Sequence, residues 1–165
     1  MTDTPLAPTL PAERYVAPSW WARERASLFA QTWVCVGHVA EVPEPGDAVP
    51  FTVAGWRLLV VRGPDGVVRV LHNVCRHRAG PLLWDDAAAT PARGLRHLQC
   101  RYHGWRYALD GERVAAPGFG CALPPGLDLV AAPTATWRGL VFAWPGSGSP
   151  APFESWIAPL DASAA

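Results

Sequence analysis

Apolar residues along this chain gather in short runs with turn residues between them. Trp33–Val39, Ala48–Val53, Arg57–Arg62, Val67–Asn73, Leu95–Cys100, Trp105–Leu109 and Trp137–Trp144 are rich in β-branched and aromatic side chains and predict strands. Pro43–Asp47, Pro64-Asp65-Gly66 and Asp110-Gly111 supply turns between several of them. Upstream the period changes. From Ser19 to about Gln31, Trp20, Trp21, Leu28 and Phe29 form an apolar stripe, with Arg23, Glu24 and Arg25 on the wet face. This predicts a helix capped by Ser19, the only substantial helix in the pattern. Many short strands separated by turns predict an all-β antiparallel sandwich or barrel with one N-terminal helix.

The same pattern divides the chain. Residues 1–18 read as an extended lead-in and 19–144 as the folded domain. Residues 145–165 read as linker and tail, opening on the Pro/Gly/Ser-rich stretch Pro145–Pro152. Eighteen prolines and 15 glycines in 165 residues reinforce the reading of short strands and frequent turns. Half the residues are hydrophobic, enough for a real core. A net charge of zero argues against nucleic acid or an anionic membrane as partner. The polar, proline-dotted N-terminus lacks the form of a signal peptide, and no stretch of apolar residues is long enough to span a bilayer. The expected location is the cytoplasm.

The candidate chemistry lies in Cys75-Arg-His77 and Cys100-Arg-Tyr-His103, with 22 residues between His77 and Cys100. Two cysteines and two histidines, in two mixed pairs, are the ligand set of a Rieske [2Fe–2S] cluster, in which two thiolates hold one iron and two imidazoles the other. Tetrahedral zinc is the competing reading, although zinc sites mostly pair like with like. Cys-x-His puts both side chains on one side of an extended segment. Cys-x-x-His needs a tight turn. Gly80 and Gly104, close to the ligands, allow backbone to approach the site. Of the remaining cysteines, Cys35 lies in an apolar run and reads as a buried thiol, and Cys121 has no assigned role.

These motifs, with Phe29-Ala-Gln-Thr-Trp33, Val36-Gly37-His38, Pro45-Gly46-Asp47, Asn73-Val74 before Cys75, Arg78-Ala79-Gly80-Pro81, Gly104-Trp105-Arg106-Tyr107 and Leu109-Asp110-Gly111, give the chain a family likeness. It resembles the N-terminal Rieske domain of the α subunit of Rieske non-haem iron oxygenases, the ring-hydroxylating group, over roughly Leu10–Leu160. The Arg-Ala-Gly-Pro form is similar to the branch acting on quaternary ammonium compounds such as choline, glycine betaine or carnitine. The cytochrome bc type fits worse, because it carries an extra cysteine in each loop where this chain has residues such as Gly80 and Tyr102. The resemblance implies a Rieske-type fold with both loops at one tip. It also implies a [2Fe–2S] cluster with Cys75 and Cys100 on the inner iron and His77 and His103 on the outer one. The 84–94 stretch is longer than usual for the family and reads as a surface loop.

The family implies two partners: a reductase or ferredoxin as donor, and a mononuclear-iron catalytic domain or subunit as acceptor. That second iron needs two histidines and a carboxylate. Beyond the four cluster candidates only His38, His72 and His97 remain, and each reads as a structural hydrogen-bonder. The expectation is therefore an electron-transfer domain or subunit whose oxygen-activating iron lies on another chain. The alternatives are a stand-alone Rieske ferredoxin or a truncated α subunit. Arg76, Arg78, Arg101 and Arg106 read either as a basic collar for an acidic reductase or as partners of Asp85, Asp86 or Glu112. Trp105 and Tyr107 read as core, and Trp20, Trp21 and Trp156 as candidate interface residues. Trp105 stands where the high-potential type has a serine, which implies a potential at the low end of the Rieske range of roughly −150 to +300 mV.

Overall fold

The computed structural model describes residues 9–84, 91–119 and 122–163. Its organising element is the strand Trp56–Arg62 (β3), whose four consecutive apolar residues Leu58–Val61 leave it no wet face. Such a strand has to lie inside a sheet with a core on each side. Antiparallel neighbours flank it, Ala48–Val53 (β2) and Val68–His72 (β4), and β4 in turn pairs with the short Ala131–Ala132 (β8). Side chains alternate along β3. Leu59 and Val61 enter one core with Leu71, Leu98, Cys75, Cys100, Trp105 and Tyr107. Leu58 and Val60 enter another with Val36, Val42, Val70 and Val141. Fully burying one such side chain is worth roughly 1.5–3 kcal/mol.

Each core is closed by a further three-stranded antiparallel sheet. Leu98–Gln99 (β5), Arg106–Tyr107 (β6) and Arg113–Ala115 (β7) close the cysteine-bearing side. Val34–His38 (β1), Leu140–Ala143 (β10) and Thr134–Trp137 (β9), in that order, close the other. The predicted all-β antiparallel architecture is the observed one.

Several local readings are corrected. The run Trp137–Trp144 is a hairpin, not one strand: Arg138 (φ 50°) and Gly139 (φ 84°) turn the chain between β9 and β10. Two successive positive φ values are the backbone of a tight hairpin turn, and Arg-Gly is a weak sequence signal for it. The strands predicted over Leu95–Cys100 and Trp105–Leu109 shrink to β5 and β6, because most of those residues go into loops. The lead-in contains a turn of helix, Glu13–Val16 (α1).

The predicted helix is Pro18–Ser27 (α2), followed by a 3-10 turn at Phe29–Gln31. Ser19 is not its cap. Ala17 occupies that position without a side-chain bond, and Pro18 begins the helix, where its missing N–H costs nothing. Nor does the apolar stripe bury, since α2 contains no buried residue. Cations on indole rings and one long-range hydrogen bond hold it instead. Arg14 and Arg23 lie 4.3 and 4.4 Å from the Trp20 ring, and Arg25 lies 4.1 Å from the Trp56 ring. Arg25 Nε also donates to the Ala54 carbonyl at 2.7 Å.

A second substantial helix, Phe153–Ser163 (α3), occupies the segment read as tail. Phe153 and Ile157 pack with Trp33, Phe142 and Trp144 on the outer face of the β1–β10–β9 sheet, and Trp33 Nε1 donates to the Ala151 carbonyl at 2.9 Å. Trp156 is half-buried against Phe142 rather than exposed, and Trp20 is half-buried between its arginines, whereas Trp21 is exposed. Cys35 is exposed on β1, not buried. Asp85, Asp86 and Cys121 lie outside the described residues. No described helix is long and apolar enough to cross a membrane.

Candidate metal centre

Both Cys/His pairs sit in loops on one side of the central sheet. The first loop leaves β4, and the second joins β5 to β6. Each is closed by the same two backbone hydrogen bonds. Cys75 N–H donates to Gly80 O and Ala79 N–H to Cys75 O; Cys100 N–H donates to Trp105 O and Gly104 N–H to Cys100 O, all at 2.9 Å. The fifth residue of each frame has a left-handed backbone: Ala79 at φ 56° and Gly104 at φ 73°. The first pair is therefore carried on a turn, not on an extended segment as its spacing suggested. Gly80 is confined as expected, because a Cβ there would stand 3.3 Å from Cys100 Sγ.

The loops bring all four sequence-predicted residues together. Cys75 and Cys100 are buried in the same core, and neither forms a disulfide. His77 and His103 lie nearer the surface, half-buried, with ring centroids 4.5 Å apart at 72°. Trp105 stacks flat on His77 at 5.1 Å and 5°, and Phe119 stands edge-on to His77 at 5.6 Å. Tyr102 leans on His103 at 3.8 Å between centroids.

Burial disfavours the charged forms of two of these donors. Burial pushes the Cys100 thiol up, the neighbouring Cys75 adds to this, and the Tyr102 and His103 backbone N–H groups pull the other way. Burial is also the main cause holding the His77 imidazole below its usual range, with His103 and Arg78 adding repulsion. His77 Nδ1 is buried without a hydrogen-bond partner, as is Trp105 Nε1. Two adjacent buried sulfurs and an orphaned imidazole nitrogen are donors that bound metal deprotonates and satisfies. Among the described residues no three His, Cys, Asp or Glu side chains gather closely enough to hold a single ion. The two sulfurs lie in the core and the two imidazoles pair nearer the surface. Donors divided two and two between a pair of irons fit this arrangement.

Sequence reasoning missed three supporting side chains. Tyr107, read as core, is fully buried, but its Oη lies 3.2 Å from Cys75 Sγ and accepts the Arg76 N–H at 3.0 Å. The period-two rule, which puts Tyr107 on the same face as Trp105, was the available signal. Asn73, buried, accepts the Leu82 N–H at 2.7 Å and the Leu83 N–H at 3.2 Å and donates to Leu83 O at 2.6 Å, so it ties down both ends of the first loop. Asp47, buried, pairs with Arg93 at 2.7 Å and accepts the Glu44 N–H. Burial alone would raise its carboxyl. The Glu44 and Gly94 N–H groups and Arg93 outweigh that and hold it below the usual range.

The spare histidines go elsewhere: His38 Nδ1 accepts the Ala40 N–H, and His97 meets Gln99 at 3.4 Å. The three ion pairs among the described residues are Arg69–Asp65, Arg93–Asp47 and Arg138–Asp161. None involves Arg76, Arg78, Arg101, Arg106 or Glu112.

The family profile of the Rieske [2Fe-2S] domain matches residues 32–134. The carnitine monooxygenase oxygenase subunit of Acinetobacter baumannii is 33% identical over 108 residues, covering 66% of this chain and 28% of that protein. The chlorobenzene dioxygenase subunit alpha of Cupriavidus sp. is 33% identical over 124 residues, covering 73% of this chain and 26% of its own length. Among solved structures, the quaternary ammonium Rieske monooxygenase CntA in complex with L-carnitine superposes with a TM-score of 0.81 at 25% identity, over 94% of this chain and 44% of that one. Naphthalene 1,2-dioxygenase from Rhodococcus sp. gives 0.80 at 27% identity, over 92% and 34%. The chain thus spans less than half the length of these relatives. The profile match settles the affiliation: the chain belongs to the Rieske [2Fe-2S] domain family, whose cofactor is a [2Fe–2S] cluster.

Proposed function

We propose that this chain is the electron-transfer domain of a Rieske oxygenase system. It accepts single electrons from a reductase or ferredoxin and passes them to a mononuclear iron in a catalytic domain or subunit. Cys75 and Cys100 would hold the inner iron, and His77 and His103 the outer one. The observation that carries this is the depth order of the donors: both sulfurs are buried and both imidazoles reach toward the surface. A bound cluster of this kind supplies one-electron transfer and no oxygen activation. The chain's part is to keep the sulfur side dry and present the imidazole edge to partners. In this reading residues 19–144 are the redox domain and 145–165 the start of the connection to a catalytic part. The quaternary ammonium and aromatic-ring oxygenases among the relatives point to those two substrate classes for the assembled system. The cytoplasm, with its reduced nicotinamide pool, is the fitting compartment.

The test is anaerobic reconstitution followed by metal and sulfide analysis and EPR of the reduced protein. Two irons and two sulfides per chain, with the low average g value of a histidine-ligated cluster, are expected. Cys75→Ala and Cys100→Ala should lose the cluster. One zinc per chain and no sulfide would overturn the assignment. Given reductase, NADH, oxygen and a panel of quaternary ammonium compounds and arenes, the chain alone should be reduced without forming product.

A further inference from the structure

Three of the large hydrophobic side chains left exposed by this fold surround the candidate cluster: Trp84, Tyr102 and Phe119, at 59%, 64% and 43% exposure. Between the two ligand loops lies a cleft of about 310 Å³ lined by Gly80, Pro81, Trp84, Arg101 and Tyr102. Its walls come from both loops. Gly80, which lines it, lies close to the candidate ligands, since a Cβ there would stand 3.3 Å from Cys100 Sγ and 3.7 Å from Tyr102 Cβ. One wall, Tyr102, lies against the His103 ring. Arg76, Arg78 and Arg101 are exposed around this tip and take no part in the three ion pairs among the described residues.

We infer that this cleft and its arginines are the docking site of the electron donor, a protein that presents an apolar side chain among carboxylates. The inference rests on the electron-transfer reading above and names the partner surface for it. The cleft volume suits one side chain, an anchor and not an extended seam. Small contacts of this type are typical of transient redox encounters. Arg101 lines the cleft itself and offers a guanidinium to a carboxylate of the partner. Guanidinium groups around a redox centre steer an acidic partner into place and fade with salt. The seated side chain would displace water beside Gly80, near Cys100, and beside Tyr102, against His103. It would thereby bring the donor within a short path of the cluster.

The experiment uses the reconstituted chain and, as probe, a reduced acidic plant-type [2Fe–2S] ferredoxin. In stopped flow the probe loses one electron and the chain's cluster gains it. The second-order rate constant is expected to fall at least tenfold from low to high salt and at least tenfold in Arg101→Glu. Trp84→Ala, which changes no charge, should slow it severalfold, while reduction by the cationic methyl viologen radical stays as in the wild type. Wild-type rates in both variants, with no salt dependence, would overturn the docking site while leaving the electron-transfer reading intact. Lack of a Rieske EPR signal in the wild type would defeat that underlying reading instead. If Trp84→Ala dissolves a dimer seen by analytical ultracentrifugation and leaves the ferredoxin rate unchanged, a second copy occupies the cleft and the donor assignment fails.

Discussion

Replacing Tyr107 by Phe should lower the midpoint potential of the bound cluster by about 45 mV. The Tyr107 oxygen already accepts the Arg76 N–H at 3.0 Å, so its proton points to the remaining neighbour, Cys75 Sγ at 3.2 Å. Burial first, and Cys75 second, push the phenol above its usual range, so it keeps its proton at neutral pH. A hydrogen bond to sulfur strengthens as the metal centre gains negative charge. Hydrogen bonds to charged groups are worth about 1 kcal/mol more than those to neutral ones. At about 59 mV per tenfold change for one electron, 1 kcal/mol corresponds to about 45 mV. Tyr107 thus opposes the low potential that Trp105, in the place of a serine, otherwise implies. Film voltammetry on wild type and Tyr107→Phe measures the difference. A shift below about 10 mV, or a rise, would refute the claim that this hydroxyl stabilises the reduced state.

Asn73→Ala should cost about 2–4 kcal/mol of apo-protein stability, since it strands the Leu82 and Leu83 N–H groups; thermal or urea denaturation measures it. Ala79→Gly should stabilise by roughly 0.5 kcal/mol, because relief of the left-handed alanine at φ 56° slightly exceeds the entropy that glycine adds to the unfolded chain. The Arg69 guanidinium holds the Asp65 carboxyl down at about 2, against 3.8 unperturbed. A lowered folded value stabilises above pH 3.8 and is lost as pH falls toward 2, so Asp65→Asn should lower stability by a constant amount above that window and flatten the stability–pH curve within it.

The β-rich fold was legible because β3 carries Leu58–Val61 without a polar residue and so demands cover on both faces. The four candidate ligands were legible because their side chains are the chemistry. What escaped was whatever depends on contacts remote in sequence. Phe153 and Ile157 alone look like parts of a polar tail; Trp33, 120 residues before Phe153, together with Phe142 and Trp144 gives them something to pack on. The α2 stripe failed in the opposite sense: its apolar spacing promised a buried face, but arginines from neighbouring turns satisfy Trp20 at the surface. Cys35 alternates with buried Val36 on β1, and the sequence could not show which of the two faced inward. The Arg138-Gly139 hairpin was hidden because positive φ at an arginine has no side-chain signature.

The paired loop frames separate two tasks that a metal site usually combines. Both frames have the same length and the same pair of backbone bonds, yet the histidine is the third residue in one and the fourth in the other. Scaffold and ligand position are therefore independent variables: the second ligand can be moved by one place without altering the loop that carries it. Duplicating one such frame and shifting a single histidine is a short evolutionary path to a two-iron site with unequal arms. The same modularity makes these loops a practical cassette for re-aiming an imidazole while the rest of the protein is left alone.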